Sequence, residues 1–122
     1  MMLCVGNDDD VREVVIGEHG AISSIREGAL LVDHTITSEA LARSMATSAN
    51  QSGVAFLDAP VSGGQIGAEN GALTVIVGAQ EQAFIEAVPL IKCYAKSVRR
   101  MGPIGAGLDV SAAIQVIAQG AA

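Results

Sequence analysis

Val54-Ala-Phe-Leu57 runs directly into Asp58-Ala-Pro-Val-Ser-Gly-Gly64, four apolar residues followed by a proline and a glycine pair. An apolar run closed by turn-forming residues has the pattern of a buried strand that ends in an open loop. Strand ends in an open α/β sheet point into the ligand crevice, and a hydroxyl beside two glycines leaves backbone N–H groups unobstructed. Ser62, Gly63 and Gly64 are therefore candidates for holding a small anion. Pro60 and the glycines equally suit an ordinary tight turn, so the stretch alone does not assign a function.

Outward from this stretch, strands and helices alternate. Met1 to Val5 reads as a strand that stops at Gly6-Asn7; Asp8 to Asp10 then cap and charge a helix carrying Val11, Val14, Val15 and Ile16. Gly28-Ala-Leu-Leu-Val-Asp33 reads as a second strand with His34 at its exit, and Ser38 or Thr37 caps a helix whose Leu41, Met45 and Ala49 share one face. Past the glycine loop, Ala72 to Val77 is a β-branched strand, and Gln80 to Ala95 has helical spacing at Phe84, Val88 and Ile91, with Pro89 as a kink or a new start. Ser97 to Met101 is a short last strand, Gly102 to Gly107 a turn, and Leu108 to Ala118 a helix. The alternation predicts an α/β fold with a mostly parallel sheet and right-handed crossovers, to which the last two strands can add in the opposite direction.

The totals agree. One hundred and twenty-two residues suffice for one domain with a core but not for a complete two-domain dinucleotide enzyme. Half the residues are hydrophobic and only 2% aromatic, so the core must be aliphatic, as in helix-covered parallel sheets. A net charge of −6 argues against nucleic acid and anionic membrane surfaces as partners. With no apolar run near the ~20 residues of a membrane span and no signal-peptide pattern, the expected location is cytoplasmic. Cys4 and Cys93 are expected to be buried, reduced thiols; His19 and His34, without a second ligand at metal spacing, are expected to be surface or hydrogen-bonded histidines, and no metal site is predicted.

Four stretches, in order and at the right separations, together resemble the β-hydroxyacid dehydrogenases, the family of 3-hydroxyisobutyrate dehydrogenase and tartronate semialdehyde reductase. They are Cys4 to Val15, Gly28 to Thr35, Phe56 to Gly64 with Gly71 to Gly78, and Gly102 to Gly107. The resemblance implies a partial Rossmann-like, doubly wound sheet, with residues 1–104 as the second half of an NAD(P)-binding domain and 105–122 as the start of an interdomain helix. It also implies that the first βαβ unit with its glycine turn, and the helical C-terminal domain, are missing. Ser62, Gly63 and Gly64 match the family's substrate-carboxylate loop, Gln115 a further substrate contact, and Gly6, Asn7 and Thr35 the positions beside the cofactor, NAD or NADP.

Three departures matter. Ile36 stands where the family usually has Ser or Thr, and Ser111 stands where it has the catalytic lysine, with Ile114 three residues later in place of Asn. A serine hydroxyl does not act as a general acid or base near neutral pH without a base beside it, a contribution typically worth ~10²–10⁴-fold in rate. Lys92 and Lys96 are the nearest alternatives and are expected to be solvated. The expected function is thus that of a 3-hydroxyacid dehydrogenase-like piece, inactive alone, whose ligand would be a small hydroxyacid or semialdehyde. The alternative is a non-catalytic interaction module, a homo-oligomer formed through an uncovered Met2 to Val5 edge or the terminal helix.

Overall fold

The computed structural model describes residues 2–4, 7–17, 20, 25–62 and 73–109. Strands β1 (Met2–Leu3), β2 (Leu30–Asp33) and β3 (Ala55–Asp58) lie side by side and parallel, with Val32 opposite both Met2 and Leu57. Helices α1 (Asp8–Ile16) and α2 (Glu39–Gln51) make the crossovers between them. Strand β4 (Val61–Ser62) continues the line of β3 past Pro60. Both pair antiparallel with β5 (Leu73–Gly78) in a single register that runs Asp58 with Gly78, Val61 with Val75 and Ser62 with Thr74. Helix α3 (Glu81–Ile91) then returns the chain to β6 (Ala95–Gly102), which runs parallel to β5.

The α/β fold with a mostly parallel sheet is as the sequence predicts, including the reversed direction of the last two strands. Some details differ. The stretch after Pro60 opens as a strand rather than a loop, because the Ile76 N–H donates to the Pro60 carbonyl and the pairs Val61 with Val75 and Ser62 with Thr74 resume the ladder, which the proline leaves one donor short. β6 is longer than its apolar content suggests, since an edge strand can carry Lys96, Arg99 and Arg100 in solvent. Helix α3 keeps Pro89 inside and ends at Ile91, so that residues 92–94 form the turn into β6.

Alternation along the strands splits the core in two. Leu31 and Phe56 face one side, packed with Leu3, Val11, Val15, Leu41, Met45, Ala49 and Leu108. Val32 and Leu57 face the other, packed with Val75, Val77, Ala83, Ala87 and Ile91. In α3 the fully covered stripe is Ala83, Ala87 and Ile91, while Phe84 and Val88 are half-buried. Small side chains let that helix lie close to the sheet, a role that a search for large apolar residues does not see.

The cysteines need correction. Cys4 and Cys93 are both exposed, not buried. Cys4 follows the last residue of β1, and Cys93 lies in the turn after α3, so neither occupies a core position of its element.

Candidate functional site at the strand ends

Because β1, β2 and β3 are parallel, they finish together, at Leu3, Asp33 and Asp58. Asp33 and Asp58 are partners in the ladder, so their side chains leave the same face, and each is only 2% exposed. Two buried carboxyls at adjacent strand ends demand compensation, since an uncompensated buried charge costs several kcal/mol.

Asp58 finds it in the backbone of the last turn. Its Oδ1 accepts from the Gly105 N–H at 2.7 Å and its Oδ2 from the Leu108 N–H at 3.1 Å, at the start of the helical turn over residues 106–109. Burial pushes the Asp58 carboxyl above the usual carboxylate range, and these N–H groups pull it part of the way back. The approach is close enough to dictate glycine. A Cβ on Gly78 would run into Asp58 Oδ1, and one on Gly107 would stand 2.8 Å from the Ile76 carbonyl oxygen and 3.0 Å from Asp58 Oδ2. The spacing of glycines in Gly102 to Gly107 thus has a steric reason that a generic turn would not supply.

Asp33 accepts from the Thr35 N–H at 2.9 Å, turning the chain out of β2. Burial raises this carboxyl too; the Thr35 backbone and hydroxyl and the nearby His34 lower it, and Asp58 raises it. On the opposite face, His34 Nδ1 lies 2.7 Å from the Ala59 carbonyl oxygen and Nε2 lies 2.7 Å from the Tyr94 hydroxyl. His34 is a hydrogen-bonded histidine, as its isolation in the sequence predicts.

The sequence-predicted residues fall as follows. Asn7 caps α1, its Oδ1 accepting from the Asp10 N–H at 3.0 Å, so the cap is Asn7 and not the acidic run after it. Thr35 is buried at the exit of β2, and the backbone of Ser62 lies in β4 opposite Thr74. Gly6, Gly63, Gly64, Ser111, Ile114, Gln115 and His19 lie outside the described residues. Ile36 is exposed in the loop after β2. Lys92 and Lys96 are exposed, as expected; β6 runs against β1 to β3 and starts beyond their ends, coming level with Asp58 only at Gly102. Sequence reasoning passed over the two buried carboxyls and the His34–Tyr94 contact. An acid as the last residue of an apolar strand, twice, was the available signal.

A model of the NAD-binding domain of 6-phosphogluconate dehydrogenase matches residues 1–102. The chain belongs to that family. Within it, the chain is 53% identical over 104 residues to an uncharacterized oxidoreductase of Shewanella frigidimarina, covering 85% of this chain and 36% of that protein. It is 34% identical over 117 residues to 2-hydroxy-3-oxopropionate reductase of Escherichia coli, covering 96% of this chain and 40% of the reductase. Among solved structures, the 3-hydroxyisobutyrate dehydrogenase of Salmonella typhimurium superposes with a TM-score of 0.88 at 30% identity, over 96% of this chain and 41% of the enzyme. The resemblance to β-hydroxyacid dehydrogenases is therefore borne out, and the chain spans little more than a third of the length of these relatives. No helix among the described residues is long and apolar enough to cross a membrane.

Proposed function

We propose that this chain forms the crevice floor of an NAD(P)-dependent 3-hydroxyacid oxidoreductase and does not turn over substrate by itself. The observation that carries the reading is the joint ending of three parallel strands at Leu3, Asp33 and Asp58, with the Asp58 to Ser62 segment leading out of the last of them. Open parallel sheets bind ligands at that edge. The relatives named above, which include enzymes of small hydroxyacids and their oxo counterparts, support a small hydroxyacid or semialdehyde as ligand.

The described residues suit one end of a dinucleotide better than the other. Asn7 fills the first turn of α1 from within, and Asp8, Asp9 and Asp10 follow it, so that helix N-terminus presents carboxylates where a pyrophosphate would need positive potential. The strand ends offer neutral backbone instead, which fits the nicotinamide and its ribose. Gly6 and Asn7 would lie along that end, and Thr35, with its N–H and hydroxyl engaged by Asp33, would shape the loop beside the ring. A bound dinucleotide would supply the hydride acceptor or donor. Ser62, Gly63 and Gly64 would hold the carboxylate of the organic acid, with Gln115 as a further contact. Ser111 leaves the proton-transfer position without a base.

Incubation with NADH or NADPH and small semialdehydes is expected to give no enzyme-dependent oxidation of cofactor, and calorimetry with NADPH only weak binding. Turnover that disappears in Ser62→Ala would overturn the inactivity. Complete absence of binding by either cofactor, even at millimolar concentration, would overturn the crevice itself.

A second reading concerns assembly. In the sheet β1 pairs with β2 alone among the described residues, and Met2 is 40% exposed, which favours pairing of this edge with a second copy. Light scattering is expected to show a dimer or larger; monomer alone at high concentration removes this reading.

A further inference from the structure

His34, Tyr94 and Met2 come from three separate elements and meet on the face of the sheet that the carboxyls do not use. The Tyr94 hydroxyl oxygen lies 3.0 Å from Met2 Sδ, and its ring stands edge-on to the imidazole, with centroids 5.6 Å apart. The hydrogens at this junction can be counted. A carbonyl oxygen only accepts, so Nδ1 of His34 must carry a hydrogen to bond Ala59 in every charge state. In the neutral ring Nε2 is then an acceptor, and the Tyr94 hydroxyl must point at it. A phenol has one hydrogen, so Met2 Sδ receives none in that state. Once Nε2 takes up a proton from water it donates to the Tyr94 oxygen, and the phenol hydrogen turns to Met2.

We propose that His34 is a positioning residue of the crevice, a clasp that holds the Ala59 carbonyl through Nδ1 and passes its charge state through Tyr94 to β1. Ala59 precedes Pro60 and β4, and His34 precedes Thr35, so the imidazole ties together the two segments that leave β2 and β3. What those segments hold rests on the function proposed above; the exchange of the phenol hydrogen does not. The titratable groups around the ring are Asp33 on its own strand, acting through space from the opposite face, Asp58 beyond it on β3, and Tyr94 with its neighbour Cys93 in the turn after α3. Met2 on β1 and the Ala59 carbonyl just after β3 are uncharged.

The test follows nitrogen resonances of histidine and the labelled ε-methyl of methionine by NMR from about pH 8 to pH 5, where an imidazole changes charge. Neutral His34 is expected to show its hydrogen on Nδ1, and the Met2 methyl to shift in step with the His34 ring. In Tyr94→Phe the pH-dependent Met2 shift should vanish. For the clasp, the Val61 amide should move in His34→Ala and return in His34→Asn, whose side-chain N–H can still reach Ala59. A neutral ring with its hydrogen on Nε2, a Met2 shift unchanged in Tyr94→Phe, or equal displacement of Val61 in both His34 variants would overturn the proposal. None of these spectra depends on cofactor, so failure of dinucleotide binding would count against the proposed function alone.

Discussion

The two faces of the sheet solve the same packing problem with different materials. One face is covered by α1, α2 and the turn over residues 106–109, with large aliphatic side chains and two buried carboxyls met by backbone N–H groups. The other is covered by α3, which comes close through Ala83 and Ala87, and its polar junction is the shared hydrogen of His34 and Tyr94. The first face is tied by carboxyls held on backbone N–H groups whose direction is fixed, and the second by a hydroxyl–imidazole pair in which either partner can be the donor. A crevice floor of this kind can be rigid beneath one loop and responsive beneath its neighbour.

The comparison breaks most readily in the core. Leu31 and Leu57 are both fully buried, one on each face. Leu31→Ala and Leu57→Ala are each expected to cost about 2–5 kcal/mol of unfolding free energy in denaturant titrations. If Leu57→Ala costs less than about 1 kcal/mol, α3 collapses onto the gap, and the face built on alanines is loosely packed rather than close.

The next effect is steric and confined to the first face. Gly78→Ala would force a Cβ against the Asp58 carboxyl, which has nowhere to go without releasing Gly105 or Leu108. Overpacking of this kind is expected to cost about 1–3 kcal/mol. Hydrogen exchange should speed up at the Gly105 and Leu108 amides more than in β2. Unchanged protection there would mean that Asp58 is not what anchors the last turn.

Charge sharpens the contrast further. Burial raises both Asp33 and Asp58 above their ordinary value of 3.8, so the folded protein holds these protons more tightly than the unfolded chain. Their contribution is fully present below about pH 3.8 and is lost as pH rises through the folded values, because ionising a buried carboxyl opposes folding. Asp33→Asn keeps an acceptor for the Thr35 N–H and cannot ionise. The variant is therefore expected to gain stability relative to the parent as pH rises above 3.8, in paired thermal melts. A difference between the two that stays constant with pH would show that Asp33 is as well solvated folded as unfolded.

Much of this was legible in the residue order. The parallel strands and their helices follow from apolar runs closed by glycine or an acid, and the stripe of Leu41, Met45 and Ala49 lands in the core as its spacing requires. The family resemblance marked Ser62 and Thr35. What did not show were features that depend on closeness across the sheet. Asp58 reads as the first polar residue after a strand until Gly78, Gly105 and Gly107 are seen around it. Tyr94 lies 60 residues from His34, and no local pattern joins them. The short β4 was hidden by Pro60, whose usual message is that a strand has ended.

The smallest effects lie at the helix starts, where the two faces again differ. Ser38 caps α2, its Oγ accepting from the Leu41 N–H at 3.1 Å and donating to Asp8 Oδ2 at 2.7 Å, so one hydroxyl ties α2 to the first turn of α1. Gln80, at the same place before α3, makes no side-chain cap bond. Ser38→Ala is expected to cost about 1 kcal/mol. Gln80→Asp should gain several tenths of a kcal/mol or more, because a carboxylate there can accept from the open N–H groups and meets the helix dipole favourably. A loss in Gln80→Asp equal to that in Ser38→Ala would mean that the start of α3 is set by its contacts with the sheet, and that the alanine face tolerates no adjustment even at its rim.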